Sequence, residues 1–281
     1  MLDSQLIGID IGGTKITAGL VEKGVVINSG VVNTESDKSK EAILENLFGL
    51  IEDIITPSTV AIGVGVPGII NNKDGIINEL NNIPEWKNLQ LKNILEDKFG
   101  RMILVDNDAN CFVLGNKYFG EAEAYKNIVG ITLGTGVGAG IIVNNSLYNG
   151  IENGAGEFGQ IPYKDSIFET YCCGKFFSEV KKLNGEELYE LAKQGDLSAR
   201  DAWEELGNHI AELVRIVLFS FAPELIVFGG SVSKGFNFFM PSVIKMLSEM
   251  TLRRVAEQLK IIRDVNRQSP VLGAAALYLN Q

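Results

Sequence analysis

The chain has one histidine, three cysteines, seven prolines and two tryptophans in 281 residues. Cysteine is too sparse for a disulfide framework. Cys111 stands alone, and the adjacent Cys172 and Cys173 cannot easily bridge one another, which suits a reducing compartment. With no histidine near them, those two thiols also make a poor tetrahedral zinc set. The lone His209 sits in a helical stretch among Glu204, Glu205 and Glu212, the setting of a packing or surface residue. Basic charge is scarce too: 25 Lys and Arg against 35 Asp and Glu give a net charge of −10 and a pI near 4.8. That excludes the basic stripe of a nucleic-acid binder. The most apolar stretch, 214–232, is broken by Arg215, Pro223 and Glu224, so no uncharged run reaches the roughly 20 residues that cross a bilayer. The first strand is under way by Leu6, preceded by Asp3 and no basic segment. No export signal or anchor is expected, and the cytoplasm is the expected compartment. Two phosphate fingerprints fail as well. G-x-x-x-x-G-K-[ST] occurs nowhere, and the G-x-G-x-x-G from Gly63 to Gly68, with Glu85 beyond it, runs into a hairpin pattern around Asn71-Asn72-Lys73-Asp74-Gly75 instead of the required helix.

What is present is an ordinary globular composition, 46% hydrophobic and 21% charged, in a chain long enough for two lobes of about 100 to 150 residues. Two stretches share one design. Leu6-Ile7-Gly8-Ile9-Asp10-Ile11-Gly12-Gly13-Thr14-Lys15 and Ile128-Val129-Gly130-Ile131-Thr132-Leu133-Gly134-Thr135-Gly136-Val137 each run an apolar strand into a Gly/Thr turn. The offset from Gly8 to Gly130, 130 − 8 = 122 residues, also carries Gly12 onto Gly134. The first stretch opens a β-meander at 6–11, 17–22 and 25–34, then a helix over 38–55, a strand at 60–66, a helix over 89–99 and a strand at 102–105. The second repeats the order with strands at 128–133, 139–143 and 146–148, helices over 185–194 and 199–221, a strand at 225–228 and a last helix over 271–279. Gly273, Ala274, Ala275 and Ala276 suit that helix for close packing on a sheet. Strand-rich starts alternating with helices imply mixed sheets covered by helices.

Several turns have chemistry in them. Successive unshielded backbone N–H groups make an anion site, so the two Gly/Thr turns, facing each other across a cleft, would hold a polyphosphate. Asp10 at the first strand end suits Mg²⁺, bound directly or through water; the bland alternative is a hairpin whose glycines merely permit the turn. Gly134-Thr135-Gly136-Val137-Gly138-Ala139-Gly140 has more glycine than a strand tolerates without a close ligand. Gly229-Gly230-Ser231 is a third such turn, or an ordinary strand-to-helix junction. Asp106-Asn107-Asp108 ends a strand and opens a helix, where Asp108 suits a general base for an attacking hydroxyl and where Asp106 or Asp108 equally suits an N-cap. Glu157 and Gln160, among small residues, suit sugar hydroxyls or an ordinary loop.

Together these residues resemble the ROK family of sugar kinases, whose duplicated α/β fold is the actin-like ATPase (ribonuclease H-like) fold, two lobes of mixed sheets flanked by helices about a central cleft. The resemblance is nearly full length. Asp10-Ile11-Gly12-Gly13-Thr14-Lys15 looks like the first phosphate motif, Leu133 to Gly140 the second, and Ile226 to Ser233, with Gly229 and Gly230, the adenosine-side motif. Val66-Pro67-Gly68 resembles the sugar-side turn, Asn82-Ile83-Pro84-Glu85-Trp86 the loop beside the sugar, and Asn107-Asp108-Ala109-Asn110 the catalytic segment. The resemblance implies Asp108 as the base, ATP and Mg²⁺ as cofactors, and Gly68, Asn82, Asn107, Asp108, Glu157, Gln160 and Glu179 on the sugar. It departs from the family's G-E-x-G-H at Gln160, which cannot become cationic. It departs again from C-x-C-G-x-x-G-C-x-E at Cys172-Cys173-Gly174-Lys175-Phe176-Phe177-Ser178-Glu179. No structural zinc is therefore expected, with Phe176 and Phe177 packing where the metal would hold the loop.

The implied organisation is an N-terminal lobe at 1–110 on the sugar and phosphate side, joined by a C-terminal helix at 270–281, and a nucleotide-side lobe at 111–269. The implied activity is ATP-dependent phosphorylation of a hexose 6-hydroxyl, glucose first, with N-acetylmannosamine, N-acetylglucosamine or fructose as alternatives and a non-catalytic sugar sensor as the alternative of another class. Repressors of the family add an N-terminal helix-turn-helix, for which a first strand at Leu6 leaves no room. Expected partners are the hexose, the nucleotide and a second copy as a homodimer, with neither nucleic acid nor membrane.

Overall fold

The structure is a computed structural model that describes residues 4–71, 73–80 and 82–281; Asp3 and Asn72, named above, lie outside the described residues. The chain packs as two units. One combines Met1–Ala124, Gly140–Ala155 and Asn266–Gln281, the other Tyr125–Ala139 and Gly156–Val265. The sequence places a boundary at 110; packing keeps the whole helix that follows, and the segment 140–155, with the first unit. The reason is steric fit, since a Cβ on Gly273 would lie 1.6 Å from the Cys111 carbonyl oxygen and one on Gly115 would lie 2.3 Å from that of Ser269.

In the first unit, β1 (Gln5–Ile11), β2 (Lys15–Glu22) and β3 (Val25–Asn33) form the meander, followed by α1 (Lys40–Glu52) and β4 (Thr59–Val66). The hairpin β5 (Ile69–Asn71) and β6 (Ile76–Glu79), then α2 (Leu91–Phe99), β7 (Met102–Asn107) and α3 (Asp108–Phe119), complete its main run. The sheet order is β3-β2-β1-β4-β7, with β1 antiparallel to β2 and parallel to β4. Strands covered on both faces read as continuous apolar runs, and Ile7, Ile9, Ile62 and Val64 are fully buried. Helix α1 buries the stripe Ile43, Leu44, Leu47, Leu50 and Ile51. It is shorter than the expected 38–55 because Ser39 caps it at the Ala42 N–H and the chain turns out at Asp53.

In the second half, β8 (Ile128–Leu133), β9 (Val137–Val143) and β10 (Ser146–Leu147) form a second meander. A small hairpin, β11 (Pro162–Tyr163) and β12 (Ser166–Ile167), leads to α4 (Phe168–Cys172), α5 (Gly185–Gln194) and α6 (Leu197–Phe221). Then come β13 (Leu225–Gly229), α7 (Phe236–Glu249), α8 (Arg253–Gln258), β14 (Lys260–Arg263) and α9 (Ser269–Ala276). The order β10-β9-β8-β13-β14 reproduces that of the first sheet, so the glycine repeat at an offset of 122 residues reflects a duplicated sheet. Helix α9 begins two residues ahead of the expected 271 because Pro270 occupies its first turn, where a missing N–H costs nothing. No helix among the described residues is long and apolar enough to cross a membrane.

Candidate active site

The first unit gathers carboxylates at the carboxyl ends of two strands. Asp10 is the penultimate residue of β1, ahead of the turn Gly12-Gly13-Thr14. The Gly12 N–H donates to the Lys15 carbonyl at 2.9 Å, the Thr34 hydroxyl donates to the Gly12 carbonyl at 2.6 Å, and the Thr34 N–H donates to the Thr14 carbonyl at 2.9 Å. Both ends of the turn are thus tied, while Thr14 and Lys15 stay exposed. A Cβ on Gly13 would come within 2.7 Å of the Asn82 Cβ, which places Asn82 against this turn.

At the end of β7, Asn107, not either flanking aspartate, is the N-cap of α3: its Oδ1 accepts the Ala109 N–H at 2.8 Å. Its Nδ2 donates to the Gly68 carbonyl at 3.2 Å, and Gly68 turns with φ of 103° into β5, a conformation that favours glycine. Asp108 opens α3, its Oδ1 also accepting the Ala109 N–H at 2.8 Å. Burial pushes the Asp108 carboxyl above its ordinary value, against those backbone hydrogen bonds. Asp10 is pushed up to about 6, by burial first and by the Asp108 charge second, with Lys15 opposing. Behind them the Cys111 thiol is held well above its ordinary value by burial and by Asp106, Asp108 and Asp10. Gly68, Asn82, Asn107, Asp108 and Asp10 are therefore brought together within one unit. A half-buried pair of carboxylates, both raised by burial and one of them, Asp10, raised further by the other, is the kind of donor set that a divalent cation relieves.

The second unit gathers the other glycines. The turn after β8 is closed by the Gly134 N–H to the Gly136 carbonyl at 3.0 Å. Gly230, just past β13, has φ of 83°, and a Cβ on it would lie 2.3 Å from the Leu133 carbonyl oxygen. Because β13 lies parallel beside β8, Gly134, Thr135 and Gly136 are neighbours of Gly229 and Gly230. A clamp that the sequence did not reveal holds the turn from outside. The Gly174 N–H donates to the Gly134 carbonyl at 2.9 Å, Cys173 Sγ donates to the Thr135 carbonyl at 3.2 Å, and Glu169 Oε2 accepts the Val137 N–H at 3.2 Å. Glu169 is held in turn by Lys175 at 2.6 Å. The only signal for this in the sequence is the Cys172-Cys173-Gly174 run itself. A cavity of about 290 Å³ opens beside Gly174 and Ser231, with Phe177, Tyr189, Trp203 and Lys234 on its walls.

Glu157 and Gln160 are exposed on a single 3₁₀ turn anchored by buried Phe158, and Gly156 and Gly159 fit against the carbonyls of Ala139 and Val137. Glu179 is exposed in the π-helical turn Phe176–Val180. The three cysteines are free and buried. Phe176 and Phe177 pack against each other, Phe176 also against His209 and Phe177 against Trp203.

His209 is a core residue, 4% exposed and ringed by Tyr163, Tyr171 and Phe176. Its Nδ1 shares a hydrogen bond with the Tyr163 hydroxyl at 3.0 Å and its Nε2 is buried without a partner. Burial, with Lys164 and Lys181 outweighing Glu205, pushes its pKa down to about 4. The folded state therefore favours the neutral ring, and the unfolded chain takes up the proton first. This contribution is intact above about pH 6.5 and is lost as pH falls toward 4, by up to about 3 kcal/mol. Melting temperature measured from pH 7 to 4 is expected to fall more steeply for the parent than for His209→Gln, and parallel curves would remove His209 from the account.

Comparison with known proteins adds three findings. The ROK family pattern matches residues 6–281. A glucokinase of Thermotoga maritima is 27% identical over 97% of this chain and 96% of its own length, and a xylose repressor of Caldicellulosiruptor bescii is 30% identical over 98% of this chain and 78% of its own. The crystal structure of a ROK family glucokinase from Streptomyces griseus in complex with glucose and AMPPNP superposes with a TM-score of 0.81, at 26% identity, over 97% of this chain and 98% of that one. The duplicated sheets are thus the actin-like α/β fold expected from the sequence.

Proposed function

The chain belongs to the ROK family, and on that premise we propose that it is an ATP-dependent sugar kinase acting on a hexose 6-hydroxyl, with glucose as its first substrate. The observation that carries this reading is the raised Asp10 and Asp108 pair beside Asn107, Gly68 and Asn82. A carboxylate raised by burial beside hydroxyl-binding groups suits a general base. Asp108 takes the proton of the sugar hydroxyl, Asn107 and Glu157 bind neighbouring hydroxyls, and Gln160 and Glu179 complete the set. The turns at Gly12, Gly13 and Thr14 and at Gly134, Thr135 and Gly136 present backbone N–H groups to phosphate oxygens. The cavity beside Gly174 and Ser231, with Gly229 and Gly230 at its approach, takes the nucleoside. Asp10 would hold Mg²⁺ directly or through water, and an ion there neutralises phosphoryl charge. The buried free thiols suit the cytoplasm, and the family resemblance implies a homodimer, which light scattering reads directly.

The reading is tested by ADP formation from Mg-ATP with glucose, mannose, fructose, N-acetylglucosamine and N-acetylmannosamine. One sugar driving turnover supports it and names the substrate. If no sugar exceeds the sugar-free rate while sugars still raise the melting temperature, the chain is a sensor. A pH dependence follows from Asp10. Protonated Asp10 cannot hold a cation, so kcat/KM is expected to fall as pH drops through about 6. Raising Mg²⁺ competes with the proton and moves that limb to lower pH; a limb indifferent to Mg²⁺ would detach Asp10 from the metal.

A further inference from the structure

Asp106, buried at 4% exposure one residue before the Asn107 cap, is used by nothing proposed so far. Four N–H donors converge on its carboxylate. Oδ1 accepts from the Asn107 backbone N–H at 2.7 Å, from Asn110 Nδ2 at 2.8 Å and from Asn153 Nδ2 at 2.9 Å, and Oδ2 accepts from Asn149 Nδ2 at 3.3 Å. Two of those donors fix the start of α3, where Asn107 and Asp108 stand. The other two belong to a compact loop that closes on itself, the Ala155 N–H donating to the Asn149 carbonyl at 3.0 Å and the Gly154 N–H to the Ile151 carbonyl at 2.8 Å. That loop runs directly into Gly156-Glu157.

The loop has little else to hold it. Ile151 is 88% exposed, and the Oδ1 atoms of Asn149 and Asn153 are buried without partners, so the amides are oriented through their NH₂ groups alone. An isolated buried acceptor costs stability, which makes the carboxylate at 106 the reason both amides face inward. Asparagine at 106 would offer one oxygen and one NH₂ group to four donors, so a donor facing that NH₂ group must give up its present orientation.

We propose that Asp106 is a positioning residue that sets the sugar-binding segment Asn107-Asp108 and the loop leading to Glu157 from a single carboxylate. The proposal rests on the sugar-kinase reading for its kinetic consequence, while the hold on the loop is independent of it.

The experiment compares the parent with Asp106→Asn, Asn153→Ala and the exchange Asp106→Asn with Asn153→Asp, which restores one carboxylate-to-amide pair. Asp106→Asn is expected to raise the sugar KM at least tenfold with the Mg-ATP KM within about twofold, Asn153→Ala to raise the sugar KM by a smaller factor, and the exchange to recover part of the loss. Amide hydrogen exchange at Gly154 and Ala155 should speed at least tenfold in Asp106→Asn with β1 unchanged. Equal rises in both KM values, or faster exchange throughout, would reduce Asp106 to general stability and overturn the proposal. An unchanged sugar KM and unchanged exchange at Gly154 and Ala155 would overturn it too. If the Asp106→Asn chain does not fold, Asn153→Ala decides by the same two measurements. If the parent turns over no sugar, the kinase reading falls, and exchange at Gly154 and Ala155 still decides whether Asp106 holds the loop.

Discussion

Asp108→Asn is expected to lower kcat by roughly 10³-fold or more while the melting-temperature rise produced by sugar survives, since a positioned general base contributes about 10² to 10⁴. The substitution is close to isosteric. The Asn Oδ1 can still accept the Ala109 N–H that Asp108 accepts at 2.8 Å, and the cap of α3 is on Asn107, so the helix start is untouched. What is lost is the ability to take a proton. A second consequence distinguishes this from local damage: Asp108 is one of the charges that raise Asp10, so the low-pH limb assigned to Asp10 is expected to move downward in any residual activity. Activity within tenfold of the parent would take the base role away from Asp108. A loss of sugar-induced stabilisation along with activity would assign it to binding instead.

The parts of the fold that were legible are those with long periodic signals. The helices expected over 38–55 and 199–221 stand as α1, with its buried stripe from Ile43 to Ile51, and α6, which buries Leu206, Ile210, Leu213 and Val217. Lys260-Ile261-Ile262-Arg263 carries no strand signal of its own, because four residues are too few for alternation to register, and its place is fixed by pairing with β13. Helix α7 has a weak local signal because Pro241 interrupts its apolar pattern. In the site, Asp10, Asp108 and the glycine turns were legible because strand ends followed by Gly/Thr turns are local signals. The clamp from Glu169, Cys173 and Gly174 onto the second turn was not, since those residues lie over 30 positions away and what they hold are the turn's backbone atoms. Asp106 looked like a helix cap beside Asp108. Its contact with Asn153 spans 47 residues, and no local pattern encodes it.

The decoy fingerprint shows what glycine was used for when no phosphate is involved, and it yields the largest expected stability effect. A Cβ on Gly63 would sit 1.7 Å from the Ala274 carbonyl oxygen and one on Gly8 would sit 1.8 Å from that of Val271. Adjacent strands β1 and β4, with Gly8 paired to Gly63, thus let α9 lie against the sheet backbone. The obstructing atoms are main chain within a helix and cannot swing aside, so Gly63→Ala must push α9 away from the sheet. Overpacking of this kind costs about 3 kcal/mol, a fall in melting temperature of roughly 5–10 °C for a chain of this size. Gly49 is the control: it lies inside α1, and a Cβ there meets nothing within 4 Å. Gly49→Ala is expected to raise stability by about 0.5–1 kcal/mol, since glycine is the poorer helix former. Denaturation of the two single variants should therefore move in opposite directions, and a neutral Gly63→Ala would mean that α9 does not seat on these two strands as closely as the structure has it.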